Sequence, residues 1–259
     1  MSDDPDRQPI IEFRGVRYEL PNGQLLLKGL NVSVLRGEIL ILLGRSGAGK
    51  TTALKLINRL LDPTEGEVRI DSREAREWDP IQLRRQIGYV IQETGLFPHY
   101  TVEQNISLIP RLEQWPARRI HERVNELLGM VGLEPAFFAR RYPHELSGGQ
   151  RQRIGVARAL AADPSMLLMD EPFGALDPIT RAEIRSAFLE LQRRLRKTVV
   201  IVTHDIVDAL LLGSRIALLE AGELVGVFTR TEFLRSKSPI TADYLEQLKL
   251  LRESERREA

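Results

Sequence analysis

The chain contains no cysteine among its 259 residues, which excludes disulfide bonds, thiolate catalysis and cysteine-ligated zinc. Its apolar runs, such as ILILL at 39–43 and VVIV at 199–202, fall far short of the roughly 18 residues that a membrane-spanning helix needs. An excess of one charge is also missing, because 37 basic residues balance 36 acidic ones. The balanced charge leads us to expect no nucleic-acid partner. The short apolar runs lead us to expect that any role at a membrane is carried out from outside the bilayer.

Five short apolar runs alternate with helical patterns, which is typical of a parallel sheet covered by helices. The runs are ILILL (39–43), IGYVI (87–91), SMLLM (165–169), TVVIV (198–202) and RIALL (215–219). Two further segments, IIEFRGVRYEL and EGEVRI, lie beside the turn sequences PNG and PTEG and favour antiparallel strands. The pattern predicts an α/β core with an antiparallel β subdomain.

The stretch from about 100 to 160 has no convincing strand pattern. Two amphipathic helices are indicated there, the first by Ile120, Val124, Leu127, Leu128 and Val131, and the second by Ile154, Ala157, Leu160 and Ala161. We expect a first domain at 1–235, with its α/β core at about 1–92 and 158–235 and an inserted α-helical subdomain at about 93–157. A charged, helical and solvated tail is expected at 236–259.

The sequence GRSGAGKTT at 44–52 fits the phosphate-binding pattern GxxxxGK[ST], between the strand ILILL and a helical pattern. Glycines let backbone N–H groups close on phosphates, and the helix N-terminus adds its positive end. Lys50 is expected to reach the β- and γ-phosphates, and Thr51 to offer its hydroxyl to Mg²⁺. The nucleotide-binding candidates are Gly44, Arg45, Ser46, Gly47, Ala48, Gly49, Lys50, Thr51 and Thr52.

Polar side chains follow three of the predicted parallel strands. Asp170 directly follows the run SMLLM, at the strand end where a phosphate-loop ATPase needs a carboxylate near Mg²⁺. Glu171 comes next and is positioned to polarise the attacking water. His204 follows the strand TVVIV and is expected to contact the γ-phosphate and to hold the water and Glu171 in register. Gln92 follows IGYVI and is a neutral candidate for touching Mg²⁺ or the water.

Three features leave alternatives open. The apolar loop from Gln92 to Tyr100 is either tucked under its own domain or a docking site for a partner helix. Tyr18, ahead of the phosphate loop, either stacks on adenine or is an ordinary strand tyrosine. The second glycine-rich stretch, LSGGQ at 146–150, is either a plain helix start or a site for the γ-phosphate bound by a second copy of the chain.

The set of phosphate loop, Gln92, LSGGQ, LLMDEP, GALD and VTHD, in that order, resembles the ATP-binding subunit of ABC transporters. The resemblance implies a P-loop NTPase core of the RecA-like type, ATP and Mg²⁺ as ligands, and a head-to-tail, ATP-dependent homodimer. It also implies adenine stacking by Tyr18 and a composite site to which the partner chain adds Ser147, Gly148, Gly149, Gln150 and Asp177. Transmembrane permease subunits would dock beside Gln92, at the cytoplasmic face of the cell membrane.

Longer stretches, such as RYPHELSGGQRQRIGVARALAADP and LMDEPFGALDPITR, are most similar to ATPases of bacterial importers for quaternary amines such as glycine betaine, choline or carnitine. This implies a solute-binding protein as an indirect partner. An importer ATPase for another small solute is the nearest alternative. A soluble ABC ATPase acting on nucleic acid is a weaker one, because the chain has neither a long coiled coil nor a second ATPase domain.

Overall fold

The computed structural model describes residues 9–92 and 95–258, with side chains to residue 249. Its centre is a sheet in the order β10-β9-β3-β8-β7-β6, in which the five strands from β9 to β6 run parallel and β10 is antiparallel to β9. The strands are β3 (Ile39–Leu43), β6 (Ile87–Val90), β7 (Met166–Asp170), β8 (Thr198–Thr203), β9 (Arg215–Glu220) and β10 (Glu223–Phe228). All five predicted strands are confirmed, with shifts of one residue at some ends.

The central strands are buried on both faces, since every residue of β3, β7 and β8 is buried. Alternate residues of β3 point to different sides: Ile41 belongs to the core beneath the helices, and Leu40 to the core beneath the second sheet. Burial on both faces explains why these strands are continuous apolar runs in the sequence.

The second sheet is antiparallel, in the order β2-β1-β4-β5. It consists of β1 (Pro9–Glu19), β2 (Leu25–Leu35), β4 (Glu65–Ile70) and β5 (Arg73–Glu74). Between β2 and β4, β3 and helix α1 (Lys50–Ile57) return the chain to the parallel core. Helix α2 (Pro80–Arg85) follows, with the side chain of Asp79 accepting from the Gln82 N–H as its N-cap. The predicted antiparallel subdomain is confirmed.

Five helices form the insert between β6 and β7: α3 (Val102–Ile106), α4 (Leu108–Leu112), α5 (Ala117–Met130), α6 (Pro135–Phe138) and α7 (Gly148–Ala159). No strand interrupts them in the described part of this stretch. The apolar face predicted for α5 is buried, as Ile120, Val124, Leu127 and Leu128 show. The α/β fold with a helical insert is therefore confirmed.

Helix α8 (Pro178–Leu195) packs on the sheet through Ile184, Phe188 and Leu191, and α9 (Ile206–Leu212) follows β8. The predicted helix at 179–197 is thus confirmed, with its end at Leu195. Among the described residues, no helix combines the length and apolar character that crossing a bilayer requires.

The C-terminal segment contains α10 (Arg230–Arg235) and α11 (Pro239–Glu258). Its helical character is as predicted, but the expectation of a solvated tail is wrong for the first turns of α11. Thr241, Tyr244 and Leu248 are buried, and the Tyr244 ring contacts Phe233 edge to face at 6.4 Å. These buried side chains recur every three to four residues, and Tyr244 and Leu248 join the core beside α9, so the first part of the tail is packed structure.

Candidate nucleotide-binding and catalytic site

The phosphate loop joins β3 to α1 at the carboxyl end of the parallel sheet. Gly47 and Gly49 have φ angles of +80° and +92°, in the left-handed region that glycine enters without strain. A Cβ on Gly49 would lie 2.5 Å from the Leu26 carbonyl oxygen, whereas a Cβ on Gly47 would meet nothing within 4 Å. Gly49 is thus required by close packing, and the backbone at Gly47 is open for an approaching ligand.

Helix α1 begins at this loop, and no side chain caps it. The first N–H groups of a helix have no intrahelical acceptor, so the start of α1 offers free donors and a positive dipole end to an anion. Lys50 is buried, and its Nζ donates to the carbonyl oxygens of Gly44 (2.7 Å) and Arg45 (2.9 Å). Burial lowers the pKa of the Lys50 ammonium, against the opposing effect of Glu171 and Asp170. These groups fit a polyphosphate.

Thr51 and Asp170 form the oxygen pair expected beside a metal ion. The Thr51 hydroxyl donates to Asp170 Oδ1 at 3.0 Å, which links α1 to the end of β7. Burial raises the pKa of Asp170, and the Thr51 hydrogen bond opposes this shift. Hydroxyl and carboxylate oxygens are the hard ligands that Mg²⁺ prefers, so this pair fits the cation that accompanies a nucleotide.

Glu171 and His204 are paired at the ends of β7 and β8. His204 Nδ1 lies 2.9 Å from Glu171 Oε2, and because a carboxylate oxygen only accepts, Nδ1 is the donor. The contact leaves Nε2 of the largely exposed His204 ring for a further partner. Glu171 has a φ of +46°, rare for a residue with a side chain, and its N–H bonds the Val202 carbonyl at 3.0 Å. Such strain occurs preferentially where a fold fixes a functional side chain.

Most of these groups line one cavity of about 620 Å³, whereas the predicted residues Gly44 and Asp170 are not part of its lining in the described chain. Its walls include residues 45–52 of the phosphate loop, together with Gln92, Glu171 and His204. The sequence places these residues up to 160 positions apart, and the parallel strand order brings them to one edge of the sheet. The remaining walls are Leu26 and, from α11, Asp243, Tyr244 and Gln247.

The contribution of α11 is the part of the cavity that sequence reasoning missed. Asp243 Oδ2 accepts from Arg45 at 2.8 Å, an ion pair between residues 198 positions apart. Local patterns carry no information on such a contact. The recurring Thr241, Tyr244 and Leu248 were the one available sign that this helix has a covered face.

Tyr18 is placed elsewhere. It pairs with Leu27 in the antiparallel sheet and packs, half-buried, against the core of that sheet. Leu26, next to its pairing partner, lines the cavity, but Tyr18 is not among the lining residues in the described part of the chain. Stacking of Tyr18 on adenine therefore stays a prediction.

The signature segment, residues 146–150, lies outside this cavity at the start of α7. Ser147 is its N-cap: the hydroxyl accepts from the Gln150 N–H at 3.2 Å, while Gln150 Oε1 accepts from the Ser147 N–H at 3.0 Å. This reciprocal capping box is readable in the sequence as Ser-x-x-Gln. Ser147 is exposed, Gly148 and Gln150 are half-buried, and Gly149 is buried against α8. The segment is thus a structured helix start as well as an exposed surface.

Asp177 is exposed and caps α8, because its carboxylate accepts from the Thr180 N–H at 3.0 Å. A hydrogen bond with the Thr180 side chain, and after it the bond from the Thr180 N–H, lower the pKa of the Asp177 carboxyl. A methyl group on Gly149 would lie 2.6 Å from Thr180 Cγ2. The starts of α7 and α8 therefore pack together and present Ser147 and Asp177 from adjoining surfaces.

The loop from Gln92 to Tyr100 includes Glu93 and Thr94, which lie outside the described residues. In its described part, Gln92 and Phe97 are exposed, whereas Leu96 packs against the core. Asn105, fully buried, holds this loop: its Oδ1 accepts from the Phe97 N–H at 2.8 Å, and its Nδ2 lies 3.1 Å from the carbonyl oxygens of Phe97 and Tyr100. Sequence reasoning missed Asn105, since an asparagine inside a short helix carries no specific signal.

The family model described as ABC transporter matches residues 27–174, more than half of the chain. The chain belongs to the ABC transporter family. The glycine betaine/carnitine/choline transport ATP-binding protein OpuCA of Bacillus subtilis is 53% identical over 227 residues, which are 88% of this chain and 60% of that protein. The chain thus spans less than two thirds of that relative's length.

Solved structures agree with this assignment. CbiO1 of Clostridium perfringens, described as part of the ABC transporter complex cbiONQ, has a TM-score of 0.82 and 29% identity, covering 96% of this chain and all of that one. The ATP-binding cassette MJ0796, solved as a dimer bound to ADP and Pi, has a TM-score of 0.75 and 36% identity, over 85% of this chain and 98% of that one. The ABC cassette fold, with its parallel core, antiparallel sheet and helical insert, is thereby confirmed.

Proposed function

We propose that this ABC family chain is the ATP-hydrolysing subunit of an importer. The observation that carries the proposal is the Glu171–His204 pair, 2.9 Å apart, in the same cavity as the phosphate loop. An uncapped helix start and a buried lysine supply positive groups for the triphosphate, and a carboxylate beside them supplies a base. A protein that only bound ATP would need the positive groups but not the carboxylate base.

Each residue has a distinct role in this proposal. Lys50 and the N–H groups of the phosphate loop hold the β- and γ-phosphates, and Thr51, Asp170 and Gln92 would hold Mg²⁺, which neutralises phosphate charge when bound. Glu171 accepts a proton from the attacking water. His204, fixed by its Nδ1–H contact with Glu171, would donate to the γ-phosphate through Nε2–H, with both ring nitrogens protonated, and would keep the water in register.

We further propose that two chains associate head to tail when ATP binds. Ser147, Gly149 and Asp177 lie outside the chain's own cavity, so a γ-phosphate contact from them requires a second copy. The dimeric MJ0796 cassette supports this arrangement by analogy. On closure, the Ser147 oxygen would keep its N-cap hydrogen bond while the hydroxyl hydrogen donates to the phosphate. Tyr18 would contact adenine only if the base extends beyond Leu26.

The transport partners and the solute are also proposals. Permease subunits would dock at the loop from Gln92 to Tyr100, where Phe97 is exposed and Gln92 lines the nucleotide cavity. The name of the Bacillus relative supports a quaternary amine such as glycine betaine, choline or carnitine, delivered by a solute-binding protein. We propose that the chain works at the cytoplasmic face of the cell membrane. We also propose one ATP-binding domain at 1–235, with its helical subdomain at about 93–157.

The decisive experiment is Glu171→Gln, which keeps the size of the side chain but removes the base. We expect ATP turnover to fall by about a hundredfold or more, while ATP now traps a dimer that light scattering detects. For wild-type protein we expect turnover without a stable dimer. A variant that hydrolyses ATP at the wild-type rate would contradict the role of Glu171, and one that stays monomeric with ATP would contradict the dimer.

Mixing two variants tests the shared site separately. Ser147→Arg damages the signature surface, and Lys50→Ala damages the phosphate loop, so each mixed dimer retains at most one intact composite site. Recovery of part of the turnover in the mixture would support the head-to-tail arrangement. Full turnover by pure Ser147→Arg protein would mean that the signature segment is only a helix start.

A further inference from the structure

Four charged side chains form a cluster between α8 and the end of β8, outside the nucleotide cavity. Arg181 Nη1 donates to Asp205 Oδ2 at 3.1 Å, and Arg185 Nε lies 2.7 Å from Asp208 Oδ1 as an ion pair without a directed hydrogen bond. Arg185 also lies 4.0 Å from Asp205. The two arginines are on one face of α8, four residues apart, and the two acids are at the start of α9.

The cluster is largely shielded from water. The exposed fractions of the side chains are 25% for Arg181, 20% for Asp205, 13% for Arg185 and 4% for Asp208. Ion pairs on an open surface contribute little, but charges at this depth depend on their partners, and removing one partner leaves an uncompensated charge. The cluster therefore fixes its two elements relative to each other more firmly than surface pairs would.

Arg181 also holds the loop between Glu171 and α8. Its Nη2 donates to the carbonyl oxygens of Gly174 (3.3 Å) and Leu176 (3.1 Å), the second of which directly precedes Asp177. The same guanidinium thus contacts the loop that follows Glu171 and the residue that follows His204. A planar guanidinium can donate in several fixed directions at once, which a lysine ammonium does not reproduce.

Asp205 completes the connection on the histidine side. Its N–H bonds the Thr203 hydroxyl at 3.0 Å, and its Oδ1 accepts from the Val207 N–H at 2.7 Å. Asp205 therefore contacts the Thr203 side chain before His204 and the Val207 backbone after it, and Asp205 is itself held by Arg181.

We propose that Arg181, together with Asp205, is a positioning residue for hydrolysis, which joins the segment 171–177 and the His204 turn into one rigid unit. The inference rests on the proposed function for its link to hydrolysis. In this unit, a displacement of Asp177 by a second chain is passed to His204 and Glu171 without passing through the nucleotide. Arg185 and Asp208 anchor the unit to the core.

The test uses the full chain with Arg181→Gln, compared with Arg193→Gln as the control, which removes the same charge from an exposed position at the other end of α8. We expect hydrogen exchange of the backbone amides in 172–177 and 204–208 to rise together in Arg181→Gln, while α1 exchanges as in wild type. The value of kcat should fall about tenfold to a hundredfold through misplacement of reacting groups, with KM for ATP within about twofold. The control should match wild type in both measurements.

Arg181→Lys separates positioning from simple stabilisation. It keeps the ion pair with Asp205 and should recover most of the thermal stability. An ammonium does not reproduce the several fixed hydrogen-bond directions of the guanidinium, so kcat should stay low. If kcat instead follows stability across the variants, or if exchange rises in one segment only, the proposal is wrong. Should Arg181→Gln fail to fold, Asp205→Asn, which keeps an N-cap but not the charge, is measured in its place. Wild-type protein without ATP turnover would refute the proposed function, whereas the exchange result would still decide whether the two segments are joined.

Discussion

Replacing Gly149 by alanine tests whether the start of the signature segment packs against α8 in the single folded chain. A Cβ at this position would lie 2.6 Å from Thr180 Cγ2 and 3.3 Å from Ile184 Cδ1. The first distance is far below van der Waals contact, so Thr180 or the helix start has to move. Overpacking of this kind costs about 1–3 kcal/mol, while replacing glycine by alanine in a helix returns about 0.4–1 kcal/mol. We expect a net loss of about 1–2 kcal/mol of unfolding free energy.

The neighbouring glycine provides the matched control. A Cβ on Gly148 would meet Leu176 Cδ2 at 3.7 Å and Arg151 Nη2 at 3.9 Å, both ordinary contacts. Gly148→Ala should therefore leave stability unchanged or raise it by up to about 1 kcal/mol. The two variants have identical composition, so they should differ by about 2 kcal/mol for steric reasons alone.

Urea unfolding, followed by circular dichroism, measures both differences. The Gly149→Ala, Thr180→Ser double variant removes the methyl group that the new Cβ meets, and it should recover most of the lost stability. Equal stability of the two alanine variants would refute the packing of α7 against α8. Failure of Thr180→Ser to rescue would mean that the cost arises from the backbone or from Ile184.

Two further predictions concern α11 and α9. Tyr244→Ala should lower the free energy of unfolding in urea by about 3–5 kcal/mol, because Tyr244 is only 6% exposed and packs on Phe233. Glu246→Ala, on the exposed face of the same helix, should change it by less than about 0.5 kcal/mol. Similar values for the two variants would show that α11 is not docked. Burial, and then the charge of Asp205, raise the pKa of Asp208 from 3.8 to about 6, so the folded chain binds a proton that the unfolded chain releases. Relative to Asp208→Asn, wild type should therefore lose about 3 kcal/mol of stability as pH rises from about 3.5 to 7.5, and a difference independent of pH would contradict this.

The elements that sequence reasoning predicted are those whose signals are local. The buried strands read as apolar runs because both faces of the parallel sheet are covered, and α5 reads as a helix because its apolar side chains repeat every three to four residues. Lys50 and Thr51 were predictable from the phosphate-loop pattern that follows β3. Asp170, Glu171 and His204 were predictable because they lie at or directly after the ends of two parallel strands, and the carboxyl ends of parallel strands meet at one edge.

What escaped prediction depends on contacts between distant parts of the chain. The ion pair of Arg45 with Asp243 and the docking of Tyr244 arise only once α11 lies beside the phosphate loop. In the sequence, Arg181 cannot be distinguished from a solvated helix charge, because its partner Asp205 comes close only when α9 lies beside α8. Ser147 differs from these, because its role as a helix cap has a local signal: the pattern Ser-x-x-Gln predicts a capping box.

The two interpretations of the signature segment are compatible because they use different atoms. The Ser147 hydroxyl caps α7 with its oxygen as an acceptor, which leaves its hydrogen free to donate to an anion. The first N–H groups of α7 point in the same direction, and only one of them is satisfied by the Ser147 oxygen. A capped helix start is therefore already oriented for a phosphate supplied by a second chain. Such preorganisation lowers the cost of binding, because little has to be ordered when the two chains meet.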